Sequence, residues 1–424
     1  MIKIKIFPDI WVYAMVFGLT PMKKLMLRTA VVALLAALAL TSTRPAMGQM
    51  INGSFIKGCN LAWLDGNYNT WLGLDPFNPS WGIAYNSTHL NSYMANMHNM
   101  GITVLRVWVN EADMGDVIDG SDNVTGVTPT WTANFANMVQ LAANNNIQLY
   151  VTLNNGRYDW LTNSAQAASY LTNALIPMIT TYKGNTNIFA IDLMNEIDGV
   201  VQGSLGNYTS TGGTWPQAQA YITTFAAAIH SADPTRKVSC STGWHQWYNL
   251  GYFLGLGLDF YDYHNYQDTP SFPPASSLGM DKPIYIGECG QGTKSWNDAL
   301  QSTCELDALN LARSGGYAGL GIWDYQYAGS SEIWSMVNTN GTLRPVCAVI
   351  QGWSYTAALN LQVSGANVVL TWPTNATGFT LEFTTNPVSP AAWNTNSAPT
   401  VVIGGQNTVT NPISGTQMFY RLKQ

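Results

Sequence analysis

Two glutamates in this chain stand at the ends of short apolar runs. Residues 188–194 read IFAIDLM and lead into Asn195-Glu196, and residues 283–288 read PIYIGE and end on Glu288. A carboxylate at the mouth of an apolar strand is costly unless something uses it. Two carboxyl groups about 5–5.5 Å apart can flank a glycosidic bond. One gives a proton to the leaving oxygen. The other attacks the anomeric carbon, and water then releases the covalent sugar with the first group acting as base. On this reading Glu196 is the acid/base and Glu288 the nucleophile. Asn195 is placed to hydrogen-bond the sugar 2-hydroxyl. Arg106 and the Tyr266 hydroxyl are placed to hold Glu288 ionised, His264 to tune Glu196, and Trp323 to give a sugar ring a floor. A second Asn-Glu, Asn110-Glu111, opens the acidic, Gly-rich stretch EADMGDVIDGSD. It reads as a solvated loop, since its acidic spacing does not follow the EF-hand pattern.

Groups so far apart in sequence need a frame that gathers them. Short apolar runs alternate with helical patterns: strands at 55–63, 102–109, 147–153, 188–194, 237–242, 258–264, 283–288 and 318–325, and helices at 88–100, 132–145, 165–182, 216–231, 296–313 and 343–352. Eight such units predict an α/β fold, a (β/α)8 TIM barrel over 49–353, whose active site lies at the C-terminal strand ends. Those ends carry Arg106 and Trp108, Asn154, Asn195-Glu196, His264-Asn265-Tyr266, Glu288 and Trp323. Strands four and seven face each other across the mouth. Strands five and six start only 21 residues apart, which leaves room for a turn or two of helix. A doubly wound open sheet is the rival, but no Gly-rich phosphate loop follows the first strand.

Residues 357–424 change character. NVVLTWP, GFTLEFTT, TVVIGG, NTVTNPI and QMFYRLK are short strands between turn residues, which predicts a small all-β sandwich as an accessory domain. At the other end, Lys23, Lys24 and Arg28 precede an apolar run from Ala30 to Leu40, and small residues follow at Ala46 and Gly48. This predicts a secretory signal within 1–48 that starts at Met22, is cleaved near Gly48-Gln49 and leaves no stable membrane insertion. A secreted, extracellular protein follows. Only 10% of residues are charged, against about 25% on average, and the net charge is −6. No basic cluster follows the leader, so nucleic acid is not expected as a partner. The five Cys and five His show no CxxC or HxxxH spacing, so no metal is expected, and the thiols are read as mostly buried with at most one or two bridges.

LRVWV with Arg106, DLMNE with Asn195-Glu196, YHNY with His264 and Tyr266, YIGECG with Glu288 and GIWDY with Trp323 follow one another in an order that resembles the clan A glycoside hydrolases, and within them the cellulase-like family 5. The resemblance covers roughly residues 50–353. It implies retaining hydrolysis of a β-linked polysaccharide or oligosaccharide, no cofactor, and the roles given above. Many cellulase-like members carry a His at the end of strand three, where this chain has Asn154; that opens mannan or another β-glycan beside cellulose. Asn154, with Trp160 and Trp244 on the loops after strands three and five, is expected to bind substrate. Trp63, Trp108 and Trp247 are further candidates. The tail resembles β-sandwich tails of exported bacterial proteins and implies no activity. The function expected is a secreted, monomeric endo-β-1,4-glycanase. An exo-acting glycosidase or transglycosidase on the same barrel, or a non-catalytic glycan-binding barrel, are the alternatives.

Overall fold

The computed structural model describes residues 50–51, 53–64, 74–75, 85–110, 115–154, 157–201, 213–243, 247–293, 297–326, 333–338, 340–353, 359–373, 379–387, 392–403, 406–414 and 417–423, together with the backbone of 2–7 and 10–14. The chain divides into Met1–Met47 and Gly48–Gln424. In the first unit, Ile2–Phe7 and Ile10–Ala14 pair as an antiparallel hairpin. The expected signal segment from Met22 lies outside the described residues. Among the described residues no helix is long and apolar enough to cross a membrane.

In the second unit the expected barrel is present. Its strands are β1 (Ile56–Leu61), β2 (Val104–Trp108), β3 (Gln148–Thr152), β4 (Ile188–Asp192), β5 (Lys237–Ser239, resumed after Cys240 as Ser241–Thr242), β6 (Tyr261–Tyr266), β7 (Ile284–Gly290) and β8 (Gly319–Ile322). All neighbouring pairs run parallel, and β8 returns to pair with β1. The first half of β5 pairs with β4 and the second half with β6, so the interruption at Cys240 lets one strand close the ring. These strands read as apolar runs because a parallel barrel strand is covered on both faces.

Two strands carry an extra residue against their neighbours. In β4, Ile188 and Ala190 pair with consecutive residues of β3, which leaves Phe189 over. In β7, Ile286 and Glu288 pair with consecutive residues of β6, which leaves Gly287 over, and β8 shows the same offset. A strand alternates its faces with period two, so one extra residue reverses the inward set beyond it. Tyr285 points into the barrel, and Glu288, three residues on, points inward too because of this bulge. The bulge needs glycine: a Cβ on Gly287 would overlap the Asp262 carboxylate. Gly58 likewise leaves room for the Tyr285 hydroxyl.

The helices that cover the ring are α1 (Ser87–Asn99), α2 (Pro129–Asn144), α3 (Ser164–Tyr170, a π-helical turn over Leu171–Leu175, then Ile176–Thr181), α4 (Trp215–Ala232), α5 (Asp298–Ser314) and α6 (Pro345–Gly352). The π turn in α3 lies just ahead of Pro177, which lacks an N–H and would clash with the carbonyl of Asn173 in a regular helix. The short β5–β6 connection holds the 3-10 segment Trp247–Phe253. Lys57, on β1, ties two helix ends together: its ammonium donates to the carbonyl oxygens of Met100 at 2.7 Å, Ile350 at 2.8 Å and Trp353 at 3.2 Å. These are the C-terminal carbonyls of α1 and α6, which favour a cation. Burial lowers the Lys57 pKa to about 8, so the ammonium remains at neutral pH. Lys57→Met is expected to lower stability by about 2–4 kcal/mol, since it leaves buried acceptors unpaired. Urea unfolding checks this; a loss under about 0.5 kcal/mol would show the clamp to be idle.

The tail forms two antiparallel sheets. One has the order β9 (Asn360–Ser364), β10 (Asn367–Pro373), β14 (Gln406–Pro412), β13 (Val401–Ile403); the other β12 (Asn394–Thr395), β11 (Thr380–Thr384), β15 (Phe419–Lys423). Val368, Leu370, Trp372, Leu381 and Val409 make its core. Trp372 is therefore a core residue.

Candidate active site

Arg106 is the hub of the upper barrel. It lies on the inward face of β2 and is buried. Its Nη1 donates to Glu288 Oε1 at 2.6 Å and to Asn60 Oδ1 at 3.3 Å; its Nη2 donates to Asp192 Oδ2 at 2.7 Å and Asn195 Oδ1 at 2.7 Å. Burial opposes the guanidinium charge, but Asp192 and Glu288 outweigh it and hold the pKa above its ordinary value. The guanidinium also lies 4.2 Å from the Trp108 ring. One planar fork thus fixes two carboxylates and two amides, from β1, β7 and β4 with the turn that follows it.

Glu288 is held from a second side by the Tyr266 hydroxyl, which donates to Oε2 at 2.5 Å. Burial, then the Glu288 charge, raises the Tyr266 pKa far above its usual value, so the phenol stays a donor. Glu196 follows β4 in a left-handed backbone conformation, φ 46° and ψ 52°, uncommon for a residue with a side chain. Its N–H donates to Ser241 Oγ at 3.0 Å, and the N–H of Asn195 donates to the Asn154 carbonyl at 2.9 Å. These contacts fix the turn from strands three and five.

His264 joins the two glutamates. Its Nδ1 lies 2.8 Å from Glu196 Oε1 and 3.3 Å from Glu288 Oε2. Burial lowers its pKa to about 4, with Glu288 pulling upward and Arg106 downward. A neutral imidazole can donate Nδ1–H to an ionised Glu196 or accept the proton of a protonated one. It therefore suits a group that must change state during a reaction. Glu196, His264 and Glu288 place one ligating atom each within 4.8 Å of one another, a spacing open to a cation. Arg106 already holds Glu288, and that fixed positive charge works against a second one.

The structure brings Arg106, Asn195, Glu196, His264, Tyr266 and Glu288 together. Trp323 joins them through an aromatic cluster: its ring is 5.6 Å from Trp63, 5.6 Å from Trp108 and 6.4 Å from Tyr266, edge-on in each case. The Trp323–Asp324 peptide is cis. Two expected substrate-binding residues are placed otherwise. Trp160 is only 1% exposed and packs against Tyr170 at 4.6 Å; the 3-10 turn Tyr158–Leu161 folds it inward. Asn154 is buried, and its amide both donates to the Arg157 carbonyl at 3.0 Å and accepts from the Arg157 N–H at 2.8 Å. It braces its own loop. Trp244 and Glu111 lie outside the described residues. The five Cys are buried and unbridged.

Sequence reasoning missed the support of the site. Asp192 stands inside the quoted run IFAIDLM, and a carboxylate within an apolar strand was the available signal. Asp262 is buried on β6, where it accepts from the Tyr150 hydroxyl at 2.9 Å, and burial pushes its pKa far up. Asp198, two residues after Glu196, is fully buried. It accepts from the Gly243 N–H at 2.6 Å and from Asn249 Nδ2 at 2.8 Å, which ties the Glu196 turn to the end of β5. Burial, with the Glu196 charge adding to it, pushes the Asp198 pKa up to about 7. Between about pH 4 and 7 the native chain holds a proton here that the unfolded chain has lost, so this group's contribution to stability falls as pH rises through that window. Asp198→Asn removes the dependence. Its melting temperature is expected to gain on the wild type between pH 4 and 8, by the equivalent of about 2–4 kcal/mol, on top of a constant offset from placing an amide beside Asn249. A pH-independent difference in melting scans would show that Asp198 does not titrate there.

The described residues fit a known family. Residues 64–329 match the family described as Cellulase (glycosyl hydrolase family 5). A mannan endo-1,4-beta-mannosidase of Cryptopygus antarcticus is 25% identical over 324 residues, 65% of this chain and 81% of that protein. Among solved structures, the endo-1,4-beta-mannanase of Eisenia fetida is 22% identical, covering 70% of this chain and 95% of its own, with a TM-score of 0.51. The beta-mannanase of the blue mussel Mytilus edulis is 21% identical, covering 70% and 91%, with a TM-score of 0.53. At such identities the structural likeness speaks for the fold alone.

Proposed function

We propose, from the premise that this chain belongs to glycosyl hydrolase family 5 and is a glycoside hydrolase of β-glycans, that it is an exported, retaining endo-β-1,4-mannanase. The observation that carries the mechanism is the pair Glu196 and Glu288, with carboxylate oxygens within 4.8 Å of each other across His264. That separation suits direct attack on the anomeric carbon and is short of the roughly 6.5–9.5 Å that an inverting enzyme leaves for water. In the first step the Glu288 carboxylate, oriented by Arg106 and Tyr266, attacks the anomeric carbon. Glu196 gives its proton to the leaving glycosidic oxygen. In the second step Glu196 takes a proton from water, which attacks the same carbon and frees Glu288. Neutral His264 hydrogen-bonds Glu196 through Nδ1, and Asn195, oriented by Arg106, presents its donor end to the sugar. Trp323 and its aromatic neighbours offer the ring a flat apolar contact.

The relative's activity on mannan supports the choice of backbone. The Met22–Gly48 leader supports export. The test is reducing-sugar release by residues 49–424 on galactomannan, glucomannan, β-glucan and xylan, with product anomers followed by proton NMR. Mannan cleavage to mixed oligosaccharides with β-anomers appearing first is expected. α-Anomers first would overturn the retaining mechanism, mannose alone would overturn endo action, and preference for β-glucan would overturn the backbone.

A further inference from the structure

The β5–β6 connection carries aromatic side chains that the hydrolytic mechanism does not use. In the 3-10 segment Trp247–Phe253, Asn249, Leu250 and Phe253 face inward. Trp247, Tyr248 and Tyr252 are 39%, 61% and 43% exposed, and Leu254 follows at 45%. Such a concentration of large exposed rings is unusual on a soluble protein without a partner. The rings are ordered against each other: Tyr252 stacks on Trp215 at 4.0 Å and 7°, and Trp247 meets Tyr248 edge-on at 5.9 Å. Trp215 opens α4 and also packs on Phe253, and Gln219 donates to the Tyr252 carbonyl at 2.9 Å. The backbone under the rings is therefore held.

Two facts narrow the occupant. Residues 213–229 and 247–258, which build this surface, contain no Asp, Glu, Lys, Arg or His. Among these described residues an ionic partner finds no counter-charge, whereas a neutral polyhydroxylated chain can lay C–H faces on rings and share hydroxyl hydrogen bonds with Tyr, Asn and Gln. The surface also lies at the catalytic end of the barrel. The segment follows the C-terminal end of β5, whose Ser241 receives the Glu196 N–H. Asn249, on the segment's inner side, holds Asp198.

We propose that Trp215, Trp247, Tyr248 and Tyr252 form an outer docking platform for the same neutral β-linked polysaccharide, separate from the cleft in which it is cut. The inference rests on the assigned activity. The platform grips chain beyond the residues that span the cleavage point, so it acts on polymer and not on short oligosaccharides.

The experiment uses the Tyr248→Ala/Tyr252→Ala double variant, whose side chains are exposed, with Tyr252→Phe as the conservative control; Trp215 is left because it packs on the core. KM for galactomannan is expected to rise about two- to tenfold with kcat unchanged, while kcat/KM for mannotetraose stays at the wild-type value. Tyr252→Phe is expected to keep the wild-type KM. Equal KM on polymer in the double variant overturns the platform, as does an equal loss on polymer and tetraose, which would place these rings in the cleft. Retardation of Glu288→Gln in galactomannan-containing native gels gives a readout without turnover; it is expected to weaken when the two tyrosines are replaced, and unchanged retardation overturns the proposal. Absence of hydrolysis by the wild type on every β-glycan would overturn the assigned activity instead, and retardation of the wild type in the same gels still decides the platform.

Discussion

Glu288→Gln is expected to lower kcat on mannan by about four to six orders of magnitude while leaving the fold and glycan binding in place. The amide oxygen can take the place of Oε1, 2.6 Å from Arg106 Nη1, and the amide NH2 in the place of Oε2 can donate to the Tyr266 oxygen, whose hydroxyl turns from donor to acceptor. Arg106 keeps its 2.7 Å pair with Asp192, so it is not stranded as a lone buried charge. What disappears is the anionic lone pair that forms the covalent bond to sugar. The melting temperature should stay within a few degrees of the wild type, and retardation by galactomannan should persist. A variant within tenfold of the wild-type rate would dismiss Glu288 as nucleophile; loss of folding would assign the carboxylate to stability.

Glu196→Ala is expected to separate the two half-reactions. On mannan, where the leaving sugar oxygen needs a proton, the rate should fall by about two to four orders of magnitude. On a dinitrophenyl β-mannobioside the leaving phenolate needs no proton, so the first step proceeds. The glycosyl-enzyme then accumulates because no base activates water, giving a burst of phenolate followed by a slow phase. Added azide, which needs no base, should restore turnover and yield the β-mannobiosyl azide. His264 should stay neutral in this variant, since burial is the main reason for its lowered pKa. Equal losses on both substrates, with no azide effect, would remove Glu196 from the acid/base role.

Much of this site was legible because a parallel barrel sorts residues simply. Strands covered on both faces stand out as apolar runs, and the polar residues that interrupt them at their C-terminal ends have few places to go but the mouth. Arg106, Asn195, Glu196, His264, Tyr266 and Glu288 could be grouped on that ground. The aromatic residues resisted the same treatment. Trp160 and Tyr252 both sit in short 3-10 turns after a strand, yet one is buried against Tyr170 and the other lies open on Trp215. The side a ring takes depends on what packs beneath the turn, which the turn's own residues do not show. Asn154 was legible as a strand-end polar group but not as a loop brace, since its partner Arg157 is engaged through the backbone. Asp192 and Asp198 stand beside Glu196 in sequence, but their partners Arg106 and Asn249 come from other strands and loops, so spacing alone does not show that they brace the site.

The odd residues at Phe189 and Gly287 make the barrel keep count. Each works as a parity bit: everything beyond it on the strand faces the opposite way from what plain alternation dictates, which turns Asp192 on β4 and Glu288 on β7 inward to Arg106. Sequence length in the outer loops can drift with little effect on where those carboxylates point. Length inside β4 or β7 cannot, because losing a single residue there would turn the carboxyl group beyond it out toward the helices while leaving its sequence neighbours intact. Copying the motif YIGE onto another barrel would therefore transfer the letters without the address. The graft must carry the slipped register against β6, together with the empty space at Gly287 into which Asp262 fits.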